Sequence, residues 1–196
     1  GTIRKNCFLT HREIMIEREQ TDFFLAGAYN AALRAGAKIM EIYTRYDDFF
    51  VGLKADSTPI TIADREAHTL IQHYLSATRI PLLSEEGRDL YFDERRGWDL
   101  YWLVDPLDGT EEFIKRNGEF TVNIALMVDN RPYLGVIYLP TTETIYFSDP
   151  DRGSFCKTGV RPEMGAQYTI GQLFGQARRL PLTTQRNTPL RIALRR

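Results

Sequence analysis

An apolar pair, Leu103-Val104, runs directly into Asp105-Pro106-Leu107-Asp108-Gly109-Thr110, and this stretch constrains the fold more than any other. Leu103-Val104 reads as the end of a buried strand. Pro106 fixes its own φ and biases Asp105 toward an extended backbone, so the two carboxylates are held in a rigid corner. Gly109 allows close approach of backbone to a ligand, and Thr110 is suited to cap a helix that starts there. The free amides of a helix start bind anions, phosphate above all. Two acids beside an anion site imply cations between them.

The rest of the chain is ordered around that corner. Residues 1–20 read as an extension with a short helix at best. From Asp22 onward, Phe24, Ala28, Ala32, Ala35, Ile39, Ile42 and Tyr46 recur at helical spacing and predict one long amphipathic scaffold helix. A polar turn from Lys54 to Pro59 follows, then a second helix from about Thr61 to Ala77. Asp64 falls in its first turn, where the helix dipole favours negative charge by roughly 0.3–1 kcal/mol, so structural and functional roles both remain open. His68 and His73 on that helix, and His11 before it, read as structural or solvent-exposed. Ile80-Pro81-Leu82-Leu83 is a short strand that ends at Ser84-Glu85-Glu86-Gly87, on its own a solvated loop. Residues 88–99 carry no signal. After the corner, alternating runs at Phe120–Val128, Tyr133–Leu139, Thr144–Ser148 and Ser154–Lys157 predict an antiparallel meander. With helices ahead of the meander, the class is α+β, a layered sandwich of antiparallel sheet and flanking helices. Residues 160–188 read as loop, and Leu190–Leu194 as the first strand of a further unit.

Composition excludes several classes. With 43% hydrophobic and 12% aromatic residues the chain can bury a substantial core, so disorder is excluded. A net charge of −1 gives no global pull toward nucleic acid or membrane. No acid follows Glu163, whereas Arg178, Arg179, Arg186, Arg191, Arg195 and Arg196 do; such a run reads as a solvated or acid-paired face. Cys7 and Cys156 have no metal-type spacing and fit a reduced, cytoplasmic protein. No apolar run reaches membrane-spanning length; peripheral association and oligomeric state are left open.

The string Asp105–Thr110 resembles the metal-binding signature of the inositol monophosphatase superfamily. Its continuation, from Glu112 through Lys115-Arg116-Asn117-Gly118-Glu119-Phe120 to Leu126, resembles the CysQ branch, the 3′(2′),5′-bisphosphate nucleotidases. The resemblance runs from about Asp22 to Leu194. It implies the layered sandwich of that superfamily, with residues 21–160 as a metal-binding phosphatase domain and 161–196 as linker and start of an incomplete C-terminal subdomain. It also implies roles. Glu85 is similar to the family's glutamate ligand, with Glu86 behind it. Lys54-Ala55-Asp56 to Asp64 is similar to a lysine-to-aspartate motif, in which Asp64 bears on a metal or its water and the Lys54 loop covers the substrate site.

Asp64, Glu85, Asp105 and Asp108 then converge. Two carboxylates about 4 Å apart repel by roughly 4 kcal/mol at an effective dielectric near 20, so the cluster needs cations or protons. All-oxygen ligands select hard ions, and a few fixed ligands beside a phosphate favour magnesium. The resemblance implies two or more Mg2+ ions, held by Glu85, Asp105, the Leu107 carbonyl and Asp108, and inhibition by Li+. Gly109 and Thr110 would hold the phosphoryl group, with the Thr110 hydroxyl orienting a water together with Asp64 and Glu85. The implied reaction is hydrolysis of 3′-phosphoadenosine 5′-phosphate to AMP and phosphate. The alternatives are an inositol phosphate or fructose bisphosphate on the same site, or a domain that binds metal or phosphate without turnover. Two departures stand out: Glu111 occupies a position where the family usually has lysine, and the family's C-terminal Trp-Asp ligand has no counterpart after the corner.

Overall fold

The computed structural model describes residues 14–45, 58–88, 90–162 and 166–181. Lys54, His11, Cys7 and the strand expected at Leu190–Leu194 lie outside the described residues.

Helix α1 spans Arg18–Thr44. It begins a turn earlier than its apolar spacing suggests, because Glu17 and Gln20 form a reciprocal capping box that needs neither serine nor threonine. Leu25, Ala28, Ala32, Ala35 and Ile39 form its fully buried stripe, and the small members let it lie close to α2, Pro59–Leu75, through Ala63 and Ala67. Gly36 marks the tightest approach to the sheet: a Cβ there would come within 2.5 Å of the Tyr138 ring. Helix α2 is capped by Thr58, whose hydroxyl accepts the Thr61 N–H at 3.3 Å, with Pro59 in the first turn. This start is two residues earlier than expected and moves Asp64 into the second turn, which removes the dipole explanation for it. A short 3-10 turn, Ser76–Thr78, follows.

Among the described residues the sheet has seven strands in sequence order: β1 Leu82–Ser84, β2 Leu100–Asp108, β3 Thr121–Val128, β4 Arg131–Leu139, β5 Thr144–Asp149, β6 Gly153–Lys157 and β7 Arg178–Arg179. From β2 to β7 the pairing is antiparallel, as the alternation requires. The β1–β2 pair is parallel, so the sheet is mixed where a purely antiparallel one was expected. Residues 160–188 are also not all loop: they supply β7 and the short helix Ile170–Phe174. A further short helix, α3, Phe92–Arg95, lies in the stretch without a sequence signal.

One face of the sheet packs on α1 and α2 through Trp102, Val104, Val122, Ile124, Leu126, Val136 and Ile145. Burying each such aliphatic side chain contributes about 1.5–3 kcal/mol. Trp102 is anchored as well as buried, its indole N–H donating to Thr78 Oγ1 at 3.0 Å. The opposite face carries the other half of each alternation and leaves Leu103, Ile137 and Tyr146 exposed. At the far end, the buried Asp149 carboxylate meets Arg18 and Arg152, and Arg152 also reaches Asp22, which ties the α1 start to the β5–β6 turn.

Candidate active site

The two aspartates of the corner lie within β2, not beyond its end. Residues three apart on a regular strand point to opposite faces. Here Asp105 pairs with Asn123 and Asp108 with Thr121, so three steps on β2 match two on β3. That extra residue is a bulge at Pro106-Leu107, and it returns Asp108 to the face that carries Asp105. Pro106 has no N–H to lose from the ladder, which suits it to this place. Both carboxylates line one groove of about 780 Å³ on the open sheet face, with Glu85 and Asn123. Leu107 is turned into the core.

Gly109 follows in the left-handed region, at φ +105°, and is itself the cap of α4, Thr110–Ile114. Thr110 is therefore the first helical residue and not the cap. It is exposed, while Gly109 lines a smaller hollow with Asp108, Glu112, Glu119 and Thr121. Glu111, the departure from the family pattern, is paired with Lys115 one turn on at 2.8 Å, so its charge does not face a phosphate alone.

Glu85 leaves the end of β1, its N–H directed at the Val104 carbonyl at 3.4 Å. Ser84 and Gly87 close the turn that carries Glu85 and Glu86, with Gly87 N–H donating to the Ser84 carbonyl at 3.1 Å. Asp64 comes to this turn from α2. Its carboxyl is pushed up to about 8, first by burial and then by the charges of Glu86 and Asp105, a hydrogen bond with Glu86, and the charge of Glu85. Asp64 Oδ1 is buried with no hydrogen-bond partner among the described residues. Asp105 is pushed up to about 6, by burial first, then by Asp108 and Glu85, against a hydrogen bond from the Leu107 backbone that favours its charge.

Asp64, Glu85, Asp105 and Asp108 are therefore in one electrostatic neighbourhood, and Glu86 belongs to it as fully as they do. Among the described residues no three of the acids are closed to ligand spacing, so a shared ion would draw their side chains together. The donors otherwise suit a hard cation: all are oxygens, and two are raised by burial first and then by the like charges that face them. Sequence reading did not single out Thr121 and Asn123. Asn123 Nδ2 donates to Asp108 Oδ2 at 3.2 Å and its Oδ1 accepts from Thr121 Oγ1 at 3.2 Å, which orients Asp108. Their spacing of two in an otherwise apolar strand was the available signal.

The raised carboxyls give the metal-free protein a pH dependence of definite sign. Relative to the ordinary 3.8, the folded state holds protons on Asp105 and Asp64 that the unfolded chain has released. Their stabilising contribution is complete below about pH 4 and is lost as pH rises through about 6 and then about 8. In chelator, the urea midpoint should fall across this range, and Asp64→Asn should flatten the fall. A midpoint that rises or stays level in the wild type would mean that these acids do not face one another.

A model of the inositol monophosphatase family matches residues 20–188. Over 135 residues the chain is 44% identical to the 3′(2′),5′-bisphosphate nucleotidase CysQ of Salmonella typhimurium, a match covering 68% of this chain and 54% of the relative. The CysQ of Escherichia coli K12 is 45% identical over the same shares. Among solved structures, CysQ from Bacteroides thetaiotaomicron superimposes with a TM-score of 0.76 at 44% identity, covering 85% of this chain and 60% of that one. The chain thus spans about half the length of the curated relatives it matches.

Proposed function

Since the chain belongs to the inositol monophosphatase family, we propose that it carries the metal-binding half of a magnesium-dependent phosphatase site acting on 3′-phosphoadenosine 5′-phosphate. The observation that carries this reading is the meeting of Glu85, Asp105 and Asp108 in one groove, with Asp64 and Glu86 in the same electrostatic neighbourhood and Asp64 and Asp105 raised above the ordinary carboxylate range by burial first and then by these neighbours. The identity to bisphosphate nucleotidases supports this choice of substrate class.

Glu85, Asp105, the Leu107 carbonyl and Asp108 would hold magnesium, which supplies Lewis-acid activation of water and charge neutralisation at the phosphoryl group. The chain's own contribution is positioning and protonation. Asn123 and Thr121 fix the Asp108 carboxylate. The Gly109–Thr110 turn that opens α4 is proposed to meet the phosphoryl oxygens. Asp64, buried beside Glu86 and Asp105 and pushed up to about 8 in the metal-free protein, is the acid proposed to bear on the nucleophilic water. Thr110, exposed at the start of α4, is proposed to help orient the water through its hydroxyl, and Lys54 is proposed to close over the phosphate. No protein nucleophile is required. Lithium should inhibit, and a reduced, cytoplasmic setting fits the same reading; among the described residues no helix is long and apolar enough to cross a membrane.

The substrate assignment has a direct test. Phosphate release by the protein carrying this chain, measured at one magnesium concentration, should be faster from 3′-phosphoadenosine 5′-phosphate than from inositol 1-phosphate. Equal or reversed rates would transfer the assignment to the inositol phosphatases of the family.

A further inference from the structure

We infer that His68 is a positioning residue, a strut that fixes the acidic turn Glu85-Glu86 against the helix carrying Asp64. His68 and Asp64 are four residues apart on α2 and share one helix face. The half-buried His68 imidazole meets Ser84 through Nδ1, at 2.9 Å from Oγ. Ser84 is the last residue of β1, and its carbonyl accepts the Gly87 N–H that closes the acidic turn.

Apart from the Asp64–Glu86 contact, little else among the described residues holds the turn. Strand β1 is three residues long and, among the described residues, sits at the sheet edge and pairs with β2 alone. The Glu85 N–H bond to Val104 is long, at 3.4 Å, and both glutamates are exposed. Two acids pressed toward Asp64 and Asp105 repel them, so an edge turn without a tie would swing outward. The His68–Ser84 bond opposes that swing from the helix side. Ser84 separates the acid groove from a second hollow that His68 lines, so the strut is next to the groove yet contributes no ligand to it.

Its consequence for metal affinity rests on the magnesium reading above, and the test separates the two. In the metal-free 196-residue chain, amide exchange at Glu85 and Gly87 reads the turn directly; magnesium affinity by calorimetry reads the metal site. His68→Leu and Ser84→Ala should each speed exchange at both amides about five- to tenfold and weaken magnesium about tenfold. His68→Asn keeps a hydrogen-bonding atom near the Nδ1 position and should stay within about twofold of wild type in both measurements. If His68→Leu does not fold, Ser84→Ala removes the same bond by deleting one oxygen. Exchange unchanged in Ser84→Ala, or equally fast in the leucine and asparagine variants, would overturn the strut whatever magnesium does. The expected exchange pattern in a wild type that binds no magnesium would support the strut and overturn the metal reading instead.

Discussion

Asp105→Asn should abolish the stabilisation that magnesium gives to this protein. With magnesium at about 100 times its dissociation constant, mass action adds about 2.7 kcal/mol to the folded state, or roughly 5–10 °C in Tm for a chain of this size. Asp105 faces Asp108 on one side and Glu85 on the other, so it is the acid best placed to be shared between ions. The same substitution should act in the opposite direction without metal. Above pH 6 the wild-type Asp105 is charged in a half-buried position against like charges, and asparagine relieves that repulsion. The variant should therefore melt above wild type in chelator and below it in magnesium. A melting curve that crosses in neither condition would make Asp105 a structural residue.

Gly109→Ala should cost roughly 2–5 kcal/mol, a large fraction of the stability of any single domain. The φ of +105° is strained for a residue with a side chain. The new Cβ would also lie 2.9 Å from the Glu119 carbonyl oxygen and 3.1 Å from Phe120 Cα, backbone atoms that cannot swing aside. Relief would have to come from the Asp108–Thr110 backbone itself, so phosphate and metal binding should weaken with stability. Gly97→Ala is the internal control. A Cβ there meets nothing within 4 Å, and the change should stay within about 0.5 kcal/mol. Equal urea midpoints for the two variants would remove the close-approach role assigned to Gly109.

Much of this architecture was legible because its signals are local. The periodicity of Phe24 to Ile42 contains the long helix, and alternation through Val122, Ile124 and Leu126 contains the meander. The acid cluster was legible only through a motif: nothing local to Glu85 distinguishes it from a solvated loop residue. What stayed hidden depends on register. The bulge at Pro106-Leu107 exists only relative to β3, and without it Asp105 and Asp108 would occupy opposite faces. Asn123 acquires its role from the same pairing. The parallel pairing of β1 is equally non-local, since three residues carry no signal of strand direction. Asp64 shows the limit of a propensity argument: the dipole reading depended on a helix start two residues later than the one Thr58 and Pro59 set.

The most direct measurement is the position of a manganese ion, standing in for magnesium, in crystals of this chain diffracting at the manganese edge. The strongest anomalous peak should lie within about 2 Å of carboxylate oxygens of both Glu85 and Asp105, with Asp108 turned toward it. A strongest peak away from these three acids, with the groove empty at saturating manganese, would contradict the metal site and the hydrolysis built on it.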